Sequence, residues 1–166
     1  MGPEPWRFTR PALASRHLGS IRARLDHVRG FFPELRGLTV RVGLVKSRYA
    51  LGKCSMDPED PAIWVRPRLI DTFTVTHELT HLLQARGDVP AGERACDLYA
   101  LARSPLLIDS APSYLKVPKN IRDAETLPEE WSELLYRIAR SAVQERELGM
   151  RQYIRFFEKE IKAAKV

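Results

Sequence analysis

Two histidines and a glutamate stand in an order that suits metal chemistry: His77-Glu78-Leu79-Thr80-His81. On a helix, residues four apart project from one face a turn apart, so His77 and His81 can offer two imidazole nitrogens to one ion. Zinc takes such nitrogens at about 2.0–2.1 Å. Glu78 is one residue on and points beside the ion rather than at it. There a carboxylate can take a proton from an activated water and pass it to a leaving amine. Val75, Leu79, Leu82 and Leu83 form an apolar stripe beside the histidine row. That pattern suits a half-buried helix with one side on a cleft.

A catalytic zinc uses three protein ligands and keeps one position open. No histidine follows His81, so the third ligand must be a carboxylate or a thiol. Glu93 and Asp97 are spaced four apart on a second predicted helix. Glu93 is the favoured third ligand, with Asp88, Asp97 and Cys96 as alternatives. Asp97, one turn along, is placed to accept the N–H of a metal-bound imidazole, which fixes the ring and raises its basicity. One Zn²⁺ ion is the cofactor this set implies.

Positioning these groups requires several elements. Leu18, Ile21, Leu25 and Val28 recur at helical spacing within a segment from Pro11 to Arg29, and the Pro-rich residues 1–11 before it read as an arm. Leu38, Val40, Val42 and Leu44 alternate as in a strand with one buried face. Tyr49–Ser55 and Ala62–Arg66 read as two further strands. The histidine helix is expected from about Pro67 to Arg86 and the glutamate helix from about Glu93 to Arg103. Pro128 opens a long helix whose stripe is Trp131, Leu134, Leu135, Ile138, Ala142 and Val143. Gly149 interrupts it before a last helix bearing Tyr153, Phe156, Phe157 and Ile161. The expected class is α+β, a single domain over residues 1–166 with a core at 10–105 and an appended helical segment at 125–166.

Composition narrows the setting. The 166 residues, 44% of them hydrophobic, suit one compact domain. No apolar run approaches the ~18 residues that a membrane span needs, so no membrane partner is expected. The N-terminus has no signal-peptide core, and two cysteines are too few for a disulfide framework. A cytoplasmic protein is the expectation. The net charge of +6 is dispersed along the chain. A nucleic-acid partner is therefore an alternative without a dedicated motif, and a peptide or protein substrate is the leading one.

The pair of motifs, His77-Glu78-Leu79-Thr80-His81 and Glu93-Arg94-Ala95-Cys96-Asp97, resembles the gluzincin pattern of zincin metallopeptidases. The short chain and close ligand spacing are similar to archaeal minigluzincins and to ImmA/IrrE-type peptidases. The resemblance covers roughly residues 10–105 and implies a zincin-like core. That core has an N-terminal helix, a small mixed or antiparallel sheet, the His-Glu-x-x-His helix and a glutamate helix, here followed by C-terminal helices. It implies a zinc-dependent peptidase with His77, His81 and Glu93 as ligands, Glu78 as general base and Asp97 behind a ligand. It also implies that the strand before the metal helix, Ile63-Trp64-Val65, is an edge that aligns an extended peptide. Tyr99 and Tyr114 are the candidates for stabilising an oxyanion. The alternative is a zinc-binding interaction or regulatory module without turnover. In that reading the C-terminal helices cover the cleft or form a homodimer surface.

Overall fold

The computed structural model describes residues 2–46, 52–68 and 70–164. The chain divides into two compact units, Met1–Asp88 and Val89–Val166. This division falls inside the 10–105 span expected to form one core. Among the described residues the fold is α+β, with seven α-helices and one mixed four-stranded sheet. None of these helices is long and apolar enough to cross a membrane.

The first unit runs β1 (Trp6–Phe8), α1 (Arg10–Leu13), α2 (Leu18–Arg29), β2 (Val40–Leu44), β3 (Gly52–Cys54), β4 (Ala62–Val65) and α3 (Thr72–Ala85). Residues 1–11 are therefore not merely an arm. Trp6, Arg7 and Phe8 pair in parallel with Val40, Arg41 and Val42. A three-residue strand is too short to show periodicity, and its place is set by side chains distant in sequence. The buried Trp6 indole donates from Nε1 to Asp26 Oδ1 on α2 at 2.6 Å. The Arg29 guanidinium lies 5.0 Å over the Trp6 ring and donates to the Leu35 carbonyl at 2.7 Å and the Pro5 carbonyl at 3.3 Å. Burial depresses the Arg29 pKa below its ordinary value, with Asp26 acting the other way. The helix expected from Pro11 to Arg29 is broken, with α1 capped by Thr9 and α2 beginning at Leu18.

The sheet order is β1-β2-β4-β3, parallel except for the antiparallel β3/β4 pair. This overturns the expectation that Ile63-Trp64-Val65 is an edge. Those residues lie in β4, which pairs with β2 on one side and β3 on the other. Among the described residues the outermost strand beside it is β3. Alternation along one strand reveals which face is buried but not which neighbours it has, and that is why the order was not legible. Of the strand expected over Tyr49–Ser55, Tyr49, Ala50 and Leu51 lie outside the described residues.

The pairing register sorts the side chains into two faces. Trp6, Val40, Val42, Ile63 and Val65 share one face and are buried, and Gly52 and Cys54 fall on the same side. Helices α2 and α3 pack together, and α3 lies against β3 and β4. Arg7, Arg41, Gly43, Trp64 and Lys53 fall on the opposite face.

The second unit holds α4 (Glu93–Leu101), α5 (Lys119–Arg122), α6 (Glu129–Glu147) and α7 (Tyr153–Ala163). Both α6 and α7 pack on α4 and on each other. Its core includes Leu98, Leu101, Leu135, Ala139, Ala142, Phe157 and Ile161. Gly149, at φ 103°, ends α6 as foreseen. Its N–H bonds the Arg146 carbonyl while Met150 N–H reaches back to Glu145, the paired bonds of a Schellman motif.

Candidate metal centre

Helix α3 is specified at both ends. Asp71 caps it, its Oδ1 accepting the Thr74 N–H at 2.5 Å, so the helix starts at Thr72, five residues after Pro67, rather than at Pro67 itself. At the other end Gly87 takes φ 81°, its N–H bonding the Gln84 carbonyl and the Asp88 N–H bonding Leu83. Between these caps, Thr72, Phe73 and every residue from Val75 to Gln84 are buried. Such burial demands internal satisfaction of polar groups. Thr76 Oγ1 donates to the Thr72 carbonyl at 2.9 Å, and Thr80 Oγ1 donates to the Thr76 carbonyl at 2.7 Å. The threonine row at i, i+4 thus bonds to its own helix.

His77 and His81 come together as their spacing requires. Their ring centroids are 4.6 Å apart and the ring planes stand at 88°. Each side chain keeps a small accessible surface, about 8%. Gln84, one turn after His81, places Oε1 2.6 Å from His81 Nδ1. With the amide oxygen facing the ring, Nδ1 donates the hydrogen and Nε2 carries the lone pair. That is the tautomer a metal-binding histidine needs. Gln84 was not among the candidates, although its i+3 spacing from His81 was there to be read.

Glu78 is buried and points toward β3. Its carboxylate fits because residue 52 has no side chain. A Cβ at Gly52 would lie 2.7 Å from Glu78 Cδ and 2.8 Å from Cγ, distances that real Cβ atoms do not adopt. Cys54, the next residue of β3 on that face, completes a compact donor set. Cys54 Sγ, a Glu78 carboxylate oxygen and a His81 ring nitrogen all lie within 4.8 Å of one another. Soft sulfur, imidazole nitrogen and carboxylate oxygen are all zinc donors, so this part of the N-terminal unit is compatible with a metal ion. No family model, curated protein or solved structure matches the chain.

The other candidates fall in three places. Asp88 is exposed and pairs with Arg86 at 3.3 Å. Ile63, Trp64 and Val65 are interior to the sheet, as described above. Glu93, Cys96, Asp97, Tyr99 and Tyr114 belong to the C-terminal unit. Glu93 is exposed at the first position of α4, while Cys96 and Asp97 are buried. Asp97 Oδ2 accepts the backbone N–H of Tyr114 at 2.7 Å. The Tyr114 side chain is half exposed. Tyr99 hydroxyl accepts from Arg146 Nη1 at 3.2 Å. Arg146 also lies 5.7 Å from the Tyr153 ring centre. The Tyr153 pKa is raised, first by burial and then by Tyr99, with Arg146 opposing.

Glu158 of α7 binds both Arg94 at 2.7 Å and the Lys116 backbone N–H at 3.0 Å. It thereby ties α4 and the loop before α5 to the last helix. No sequence motif announced that clamp.

Proposed function

We propose that the chain is a zinc-dependent peptidase. The observation that carries this reading is the arrangement of His77, Glu78 and His81 on α3, with the Glu78 carboxylate accommodated by the bare backbone of Gly52. A generic buried helix has no reason to spend its polar positions in this way.

Each residue then has a part. His77 and His81 hold the ion through ring nitrogens, and Gln84 fixes the His81 tautomer. When bound, zinc would acidify water and polarise a peptide carbonyl. Glu78 takes the proton released as water attacks and returns it to the departing amine. Its burial keeps competing water away and strengthens its interaction with nearby charge. Glu93 remains the proposed third ligand on sequence spacing, with Asp97 behind it. Strand β3 takes over the substrate-aligning role expected of β4, because it is the outermost strand and runs beside Glu78. An extended peptide added there would gain main-chain hydrogen bonds.

The test compares wild type with Glu78→Gln on an unfolded protein substrate. The variant keeps the shape and loses the base. Turnover is expected to fall by about 10²–10⁴-fold while bound zinc stays at one ion per chain. Equal cleavage by the two proteins would overturn the mechanism. Stoichiometric zinc with no turnover in the wild type would instead favour a metal-holding module that works by binding.

A further inference from the structure

We propose that Cys54 is a ligand of the ion held by His81, so that strand β3 carries a metal–sulfur bond that closes the site until it is given up. This rests on the metal reading above.

The geometry begins with register. Gly52 pairs with Val65 and Cys54 with Ile63, so both face the side of the sheet that α3 covers. Gly52 lets α3 approach closely. The next side chain on that side of β3 is therefore brought into the space beside Glu78 and His81. Its Sγ lies within 4.8 Å of a donor atom on each of them, and those two donors are equally near each other. On one ion with bond lengths of about 2.0–2.3 Å, a sulfur and an imidazole nitrogen stand less than about 4.4 Å apart, so Cys54 Sγ comes onto an ion held by His81 after at most a small side-chain adjustment. Cys54 Sγ also contacts Met56 Sδ at 3.6 Å. A thiol–thioether contact is weak and gives way easily to a metal bond.

The consequence follows from coordination number. Zinc sites that do chemistry keep a position open, whereas four protein ligands make a closed, structural site. Two imidazoles and a carboxylate leave the fourth position for water, and the Cys54 thiolate would fill it. Binding as thiolate releases one proton to solvent, and displacement by water or by a substrate carbonyl lets sulfur take a proton back. Cys54 sits on the outermost strand of the sheet, where peptide addition is proposed. An arriving substrate is thus positioned to exchange for the sulfur.

Cobalt substitution of the full chain reads this directly, because thiolate–cobalt bonds give a near-ultraviolet charge-transfer absorption apart from the visible bands of any cobalt site. Wild type is expected to show both. Cys54→Ser should lose the charge-transfer absorption and keep the visible bands, whereas Cys96→Ser should keep both. Visible bands without charge transfer in the wild type would overturn the proposal and leave the metal reading standing. So would charge transfer that survives in Cys54→Ser and disappears in Cys96→Ser. No cobalt binding at all would overturn both. A second measurement does not depend on a variant folding. Zinc should slow alkylation of Cys54 by iodoacetamide by more than about tenfold, because a coordinated sulfur is a poor nucleophile. An equal rate with and without stoichiometric bound zinc would also count against the bond.

Discussion

Gly43 and Gly52 occupy the same small sheet, and each leaves a space that a side chain would fill. They face opposite ways. Gly52 looks toward α3, where the Glu78 carboxylate takes the space. Gly43 looks away from it, where the Trp64 indole lies across the backbone and a Cβ would come within 2.5 Å of Nε1. Around Trp64 the chemistry is that of a surface. Arg41 stands 5.4 Å and Lys53 5.6 Å from its ring centre, and Arg41 and Arg7 both pair with the half-buried Asp60. A glycine inside a strand marks the close approach of another group. Only the face decides whether that group is a buried carboxylate with a task or an aromatic cover on a basic surface.

The sharpest way to break the contrast is Gly52→Ala. Glu78 has no solvent to retreat into, since it is buried among the side chains of α3 and β3. The added methyl must displace the carboxylate or the strand. A displacement near 1 Å can cost about 10²-fold in rate, so kcat/KM per folded molecule should fall by about that factor. An unchanged value would show that the Gly52 space is incidental to the chemistry.

A smaller effect is expected from Gln84→Leu, which keeps the volume and removes the partner of His81 Nδ1. Losing such a bond typically weakens metal binding by about 10–100-fold. Competition with a chromophoric chelator would measure it, and Gln84→Glu should recover most of the loss. Unaltered affinity in the leucine variant would remove Gln84 from the site.

What was legible in the sequence divides along the same line as the two glycines. The α3 motif was readable because helical periodicity is local, and its Gly87 stop lies a few residues after His81. Gly52 was visible as a letter, but what approaches it shows only in the folded chain, where the Glu78 carboxylate lies against it. Cys54 had no local signal at all, since its relation to His81 depends on strand order. The strand order also transferred the outermost position from β4 to β3. In α6 the apolar stripe was read in part, with Leu135, Ala142 and Val143 buried as expected. Trp131, Leu134 and Ile138 are part-exposed, while Ser132, Leu135, Ala139, Ala142 and Val143 are buried. Helices α4 and α7 both pack on α6, and close packing of helices favours small residues that periodicity of large ones does not reveal. Ser132 is admitted because its hydroxyl donates to the Ile108 carbonyl at 2.7 Å.

Gly43→Ala is the complementary experiment and the mildest. The methyl would meet the edge of the Trp64 indole, not a buried carboxylate. Trp64 is only partly buried, and the groups over it are long cations on an exposed face. The ring can therefore swing outward and carry Arg41 and Lys53 with it. Overpacking of a rigid interior costs about 1–3 kcal/mol, and this relaxation places the expected loss at about 1 kcal/mol, the lower end. Urea unfolding monitored by tryptophan fluorescence would read it as a lower midpoint at constant slope. Zinc affinity and kcat/KM per folded molecule should match wild type, because nothing on the α3 side of the sheet has moved. A loss of activity as large as that of Gly52→Ala would mean that the sheet transmits strain between its faces, and the two glycines would then belong to one device rather than two.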